Sequence, residues 1–305
     1  MRKVAHQKQL LKFNAPSDYA LSNLESGTIF CQRYDAYNDP FEFWTEIVRG
    51  IPDADRDPER FLAALKAWGF DFGTVSEAMN EPAVSDNVKE YFEECELYAP
   101  PFEDMRQSVR IACFASQNDN LLMWSHYADG LRGFCVVFDE GTLLNGKDEA
   151  HVLDVAYSDK PPTVDSFIYG IAYDQEWFSQ TAIDETMAVV RYRGEPDCAA
   201  QIADYEEAGA EAVETMRDLW QSVFATKPWE WRYEGERRLL IQTDKVDATP
   251  LLWTYEREAV REVILGDRMS EDYRARVLSV LKELYPGVPV TTARRAQNSY
   301  AVVVT

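Results

Sequence analysis

The chain has 305 residues, 46% of them hydrophobic and 13% aromatic, with 53 Asp and Glu against 31 Lys and Arg for a formal net charge of −22. The apolar share excludes a disordered chain, and no run approaches the roughly 18 apolar residues of a membrane span. The five cysteines (Cys31, Cys95, Cys113, Cys135, Cys198) are an odd, scattered set with no CxxC and no zinc-type spacing, and reduced thiols in the cytoplasm are the simplest reading.

In chain order, the first 13 residues are basic but carry no apolar h-region, so they do not read as a secretory signal. QLLKF (9–13) predicts a short strand. A helix follows over 17–25, with Gly27 at its stop position. TIFCQRY (28–34) predicts a strand running into the Asn-Asp-Pro turn of AYNDPFEFW (36–44). Residues 53–99 read as a polar helical insertion, with FLAALKAW (61–68) and NVKEYFEECELY (87–98) at helical spacing. SVRIACFAS (108–116), a short helix over LLMWSHYAD (121–129) ended by Gly130, and GFCVVFD (133–139) form a compact strand–helix–strand unit. VLDVAYS (152–158) reads as one strand and 166–224 as helix. RRLLIQ (237–242) and EVILG (262–266) read as strands, with a helix over 270–284 capped at Ser270. VPVTTAR (288–294) and SYAVVVT (299–305) read as a closing strand pair. The expectation is a single α+β domain over 1–305, with a mixed or split β-sheet core and helical insertions at about 53–99 and 166–224.

The acid is unevenly placed. Residues 51–110 hold 14 acids and 6 bases, and 171–220 hold 12 acids and 3 bases, whereas 227–261 are balanced at 7 and 7. Such charge is most simply a solvated helix surface. It also suits docking of a basic protein, and it disfavours non-specific binding to nucleic acid.

Two motifs carry the candidate chemistry. In the segment from Cys113 to Gly133 a strand runs through Ser116, Asn118 and Asn120 into a helix bearing Trp124, His126 and Tyr127, followed by Asp129 and Arg132. A helix start offers free N–H groups to an anion, and His126 suits a base or a phosphate donor. A lone His beside Trp and Tyr is equally a packed structural residue, and with His6 and His151 the only others a His-rich metal site is not expected. The second motif is KPWEWRYEGERR (227–238). Read as extended chain, it puts Trp229, Trp231 and Tyr233 on one face, then Glu234, Glu236 and Arg238 together. Two carboxylates two residues apart repel, and one pKa rises. Simple pairing with Arg237 and Arg238 explains the same residues structurally. Gly235 allows close approach of a ligand or backbone. The YNDPFEFW turn, with Glu42, is either turn chemistry or a loop at the pocket rim. Walker, GxGxxG, HExxH and GxSxG signatures are absent from the sequence.

LLKF, YNDPFE, CFAS with LMWSHYADGLRGFCVVFD, WRYEGERRLL and EVILGDRM together resemble the bacterial family catalogued as domain of unknown function 2971, a name that assigns no activity. The order of elements is also similar to ADP-ribosyltransferases, which bind NAD in a split β-sheet. That resemblance implies a His or Arg on the first strand, where this chain has Lys12. It implies a middle Ser, Thr or Tyr region, matched by Ser116 and Tyr127, and a later glutamate, matched by Glu236 or Glu234. Tyr127 would stack on nicotinamide, and the glutamate would stabilise an oxocarbenium-like state; Arg132 joins Lys12, Ser116 and Tyr127 as a cofactor-binding candidate. The leading expectation is an NAD-consuming transferase or glycohydrolase acting as a toxin or phage-defence effector; an antitoxin-type or chaperone partner would fit it, and equally the interaction-protein reading below. The alternatives are a nucleic-acid-processing enzyme using His126 and Glu236, and a non-catalytic acidic interaction protein.

Overall fold

The computed structural model describes residues 9–193, 198–245 and 247–305; His6 lies outside them. The chain folds as two compact units. One takes the chain up to Phe43 together with Asp104–Lys160 and Ala225–Thr305; the other takes Trp44–Glu103 and Pro161–Phe224. The two segments expected as helical insertions thus lie in the second unit.

The first unit is built on an eight-stranded sheet. In chain order its strands are β1 (Gln9–Asn14), β2 (Val109–Ala115), β3 (Phe134–Asp139), β4 (Ala150–Asp154), β5 (Glu236–Gln242), β6 (Val260–Gly266), β7 (Val290–Arg295) and β8 (Val302–Val304), arranged β8-β7-β6-β3-β1-β2-β5-β4. All neighbours are antiparallel except β6 and β7. Period-two alternation gives the sheet two apolar faces. Leu10, Ala112, Phe114, Val136, Leu239 and Val263 share one core with the helices Asp18–Ser26 and Glu271–Leu284. Leu11, Phe13, Ala115, Cys135, Val137 and Ile264 share the other with Met123, Trp124 and Leu131.

The sheet is nearly split at its centre. β1 pairs with β3 along its whole length, from Gln9 opposite Asp139 to Asn14 opposite Phe134, but meets β2 only where Leu11 lies opposite Ala115. The backbone groups that β2 leaves unpaired there need other partners. Gln32 exchanges two hydrogen bonds with Ile111, at 3.0 and 2.8 Å. Tyr37 donates its hydroxyl to the Ile111 carbonyl at 2.7 Å. Lys12 donates to the Cys113 carbonyl at 2.9 Å, with its ammonium 5.5 Å from the Phe114 ring centre.

Local chemistry sets the boundaries. Ser17 caps the first helix by accepting from Ala20 N–H, and Gly27 ends it at φ +66°; Ser270 caps the Glu271–Leu284 helix in the same way. After the Leu121–His126 helix, Asp129, Gly130 and Leu131 all take positive φ. This strained turn carries Leu131 into the core and lets Arg268 N–H donate to its carbonyl at 3.0 Å. A Cβ at Gly266 would lie 2.0 Å from that carbonyl oxygen, and one at Gly133 would lie 1.9 Å from the Asn14 carbonyl oxygen. Both obstacles are backbone, so neither side can yield cheaply. Gly133→Ala and Gly266→Ala should therefore each cost at least about 2 kcal/mol in urea denaturation; a change under about 0.5 kcal/mol at either site would refute this packing.

The second unit is largely helical. Pro58–Ala67, Val75–Asn80, Pro82–Ser85 and Val88–Cys95 pack with the start of the long helix Ser166–Arg193 around Phe61, Leu65, Val84, Phe92, Phe167 and Ile171. Gly170 permits this approach, because a Cβ there would lie 2.5 Å from the Cys95 carbonyl oxygen. A second long helix, Ala199–Phe224, runs back along the first. The segments of this unit hold 27 acids and 8 bases, a net of −19, leaving 26 acids and 23 bases for the first unit. No helix among the described residues is long and apolar enough to cross a membrane.

Four sequence expectations shift. The strand expected over 28–34 stops at Cys31, and Tyr34–Ala36 is a 3-10 turn. The helix expected over 121–129 ends at His126. VLDVAYS is two strands, Ala150–Asp154 on β5 and Ala156–Ser158 on Thr226–Pro228, separated at Val155. The largest difference is at 229–233, read as extended and found as a 3-10 helix, Trp229–Glu234. Its aromatics recur every second residue and imitate a strand. With three residues per turn, the pairing that matters is i to i+3: Arg232 sits over the Trp229 ring at 5.0 Å. Gly235, at φ +50°, ends the helix.

Candidate functional site

Gly235 separates the two candidate glutamates and sends them into one buried cluster from different elements. Glu234 is the last residue of the 3-10 helix and Glu236 the first of β5. The left-handed φ favours glycine, and a Cβ at this position would lie 2.7 Å from Ser116 Oγ. With that space open, Ser116 N–H donates to the Gly235 carbonyl at 3.0 Å, which ties the end of β2 to the start of β5.

Lys227 is the hub. It is the middle residue of the Thr226–Pro228 strand, and its ammonium donates to Glu234 Oε2 and Glu236 Oε2, each at 2.8 Å. It also lies 4.8 Å from the Trp231 ring centre. Arg238, two residues on from Glu236 and so on the same sheet face, donates to Glu236 Oε1 at 2.9 Å and reaches Glu42 at 2.6 Å. The remaining oxygen of Glu234 accepts from the Tyr127 hydroxyl. Phe43 takes φ +57°, uncommon for a non-glycine residue, and brings its ring to 5.7 Å from the Arg238 guanidinium. Lys227, Glu42, Glu234, Glu236 and Arg238 are all buried.

Their electrostatics follow from who shares which cation. Burial opposes ionisation of Glu236, but Arg238 and Lys227 outweigh it and hold its carboxyl down to about 2. Glu234 has Lys227 but no arginine, and burial raises its pKa. Burial works against the Lys227 ammonium, and the two carboxylates reverse this and raise it. Glu42 is pushed up to about 7, burial exceeding the pull of Arg238. A carboxyl with a raised folded-state pKa stabilises the fold below its unfolded pKa, and that contribution is lost as pH rises through the folded value. Stability from Glu42 should therefore decline from about pH 4.5 to 7, by a total of about 3 kcal/mol. Glu42→Gln should flatten that part of the denaturation profile; an unchanged slope would contradict the assignment.

Beside the cluster, an open cleft of about 520 Å³ lies at the end of the sheet, lined by Gln9, Ser116, Asp154, Tyr157, Gly235, Glu236 and Arg237. Glu236, 3% exposed, is among the residues that line it. Its backbone N–H donates to the Tyr157 hydroxyl at 2.8 Å. Arg237 points to the opposite sheet face from Glu236 and pairs with Glu140 at 2.8 Å and with Asp154.

Of the residues singled out in the sequence, Glu234, Glu236 and Tyr127 meet in the cluster, and Ser116 lines the adjoining cleft. His126 is exposed, its ring 6.1 Å from that of Tyr233; no hydrogen bond or ion pair joins it to either glutamate among the described residues. Arg132 is exposed and pairs with Asp129 at 3.6 Å. Lys12 lies opposite Val136 and points to the sheet face away from Glu236, so the sheet stands between them. The helix start at Asn120 does not offer an open anion site: the Asn120 side chain accepts from both Leu122 and Met123 N–H. Lys227 and Glu42 lie within the sequence motifs, which do not reveal their partners. The signal for Lys227 is its spacing, seven and nine residues before the two glutamates. Tyr157 carried no signal.

Residues 123–239 match the family model described as protein of unknown function, DUF2971. The match runs from within the Leu121–His126 helix through the first residues of β5, and so takes in the second motif and the 123–133 part of the first. No curated protein and no solved structure matches the chain.

Proposed function

We propose that the protein is a cytoplasmic enzyme that consumes NAD, transferring its ADP-ribose to an acceptor or to water, with Glu236 as the catalytic carboxylate. One observation carries this reading. Gln9 on the first strand, Ser116 at the end of β2 and Glu236 at the start of β5 line one cleft, at the sheet end beside the near-split between β1 and β2. Ser116 and Glu236 are two of the residues that the resemblance to ADP-ribosyltransferases implies; the third, Lys12, lies on the other sheet face, and Gln9 of the same strand lines the cleft instead. The cleft volume falls in the range of small-molecule sites, and Gly235 leaves its wall without a side chain.

The chemistry asked of Glu236 is electrostatic. As the bond between ribose C1′ and the nicotinamide nitrogen breaks, the leaving group keeps the electron pair and departs neutral, and positive charge develops on the ribose. An acceptor oxygen or nitrogen then bonds to C1′ and releases its proton to solvent water. A carboxylate held at about 2 is fully ionised at neutral pH, as stabilising that cation requires. Each carboxylate oxygen has a second lone pair, so Glu236 can accept from a ribose hydroxyl while it keeps Lys227 and Arg238. Lys227 then acts as a positioning residue that fixes both glutamates.

The test is nicotinamide release from NAD. The wild-type protein should release it, and Ser116→Trp, a substitution at an exposed position that fills the cleft, should lower the rate at least about 100-fold with the fold intact. An undiminished rate in that variant would rule out the cleft as the site.

A further inference from the structure

We infer that the two long helices of the acidic unit form a docking groove for a basic amphipathic helix of another protein. This inference is independent of the NAD reading, because it concerns residues of the second unit alone.

The groove lies between the helices Ser166–Arg193 and Ala199–Phe224 and has a volume of about 420 Å³. Gly209 makes it possible: a Cβ there would lie 3.2 Å from Ser179 Cβ, so the helices approach closely at this point. Ile183, Ala210 and Val213 supply an apolar floor, and Glu176, Glu206 and Glu214 stand along the walls. Among the described residues the one cation lining it, Arg217, pairs with Glu214 at 3.1 Å. The same hairpin exposes large apolar side chains: Trp177 is 59% exposed, with Phe178, Met187 and Val213 also open. A helix pair that buries only its shared seam leaves such residues for a third helix.

Charge selects the occupant. The unit's net charge of −19 repels a second copy of itself and repels nucleic acid. A cationic partner is attracted, and basic side chains flanking an apolar stripe would meet the walls while the stripe meets the floor. From Tyr205 to Arg217 the groove runs for about 18 Å, a little over three helical turns.

The probe is a fluorescent Leu/Lys amphipathic helix of roughly 14 residues, titrated by anisotropy against the full chain. Its control has every Lys replaced by Glu. The Lys peptide should bind and the Glu peptide should not. Val213→Asp adds negative charge but removes apolar floor, so it should weaken binding about tenfold or more. Glu206→Lys with Glu214→Lys should do the same and flatten the salt dependence. Glu59→Lys with Glu90→Lys, exposed acids of the same unit outside the groove, should change little. All these positions are exposed, and circular dichroism checks the fold. The proposal is overturned if the Lys peptide fails to bind or if Val213→Asp binds as well as wild type. It is equally overturned if the outside pair weakens binding as much as the groove pair, or if sedimentation shows a dimer that the peptide does not displace.

Discussion

Lys227→Met should destabilise the fold by about 3–5 kcal/mol at neutral pH, the cost of breaking a buried ion pair from one side. The methionine fills similar space, so the loss is electrostatic: Glu234 and Glu236 remain buried, each 2.8 Å from where the ammonium stood. Arg238 still serves Glu236, but Glu234 keeps only the Tyr127 hydroxyl. The variant should therefore take up a proton on the pair. The pH dependence has a definite sign. In the wild type, Glu236 has a depressed pKa, so its contribution is present above the unfolded value of 4.5 and is lost as pH falls towards about 2. In the variant the pair's pKa rises instead, and stability falls as pH rises through it. The gap between the two proteins should thus widen from pH 5 to pH 8 in urea denaturation. Adding Glu234→Gln to the variant should recover part of the loss. A loss under about 1 kcal/mol, or a gap that narrows with pH, would show that Lys227 is not the hub of this cluster.

Glu236→Gln should lower NAD turnover by at least about 1,000-fold at saturating substrate. The amide is nearly the same shape and still accepts from Arg238, but it carries no charge to oppose a cation on the ribose. Turnover should fall through kcat, with little change in KM, because the lost interaction is strongest in the transition state. Glu234→Gln should cost far less turnover, since Glu234 lies outside the residues lining the cleft. Stopped assays at several NAD concentrations distinguish these outcomes. Equal loss in the two variants would point to a shared structural effect of the cluster instead.

The central strands were legible in the sequence because each carries a cluster of apolar residues, IACFA in β2, FCVVF in β3 and LLI in β5, and each was placed to within one residue. Helix caps at Ser17 and Ser270 were legible for the same local reason. The 3-10 helix at Trp229–Glu234 was not, because alternating aromatics satisfy a strand pattern and only the Pro228 and Gly235 boundaries argue otherwise. The site was legible in part. Glu234, Glu236 and Tyr127 come together, yet Lys12 falls on the other sheet face, since one residue of register decides the side of a strand. The partnership of Glu42 with Arg238 spans nearly 200 residues, and no local signal carries it. Tyr157 likewise reaches Glu236 only because VLDVAYS breaks at Val155 and leaves one sheet for another.

The most direct measurement is a crystal structure of the Glu236→Gln variant soaked with NAD, in which slowed turnover preserves the ligand. The account predicts NAD in the cleft between Ser116, Tyr157 and Gly235, with a ribose hydroxyl directed at position 236. NAD bound elsewhere, or an empty cleft at saturating NAD, would contradict it.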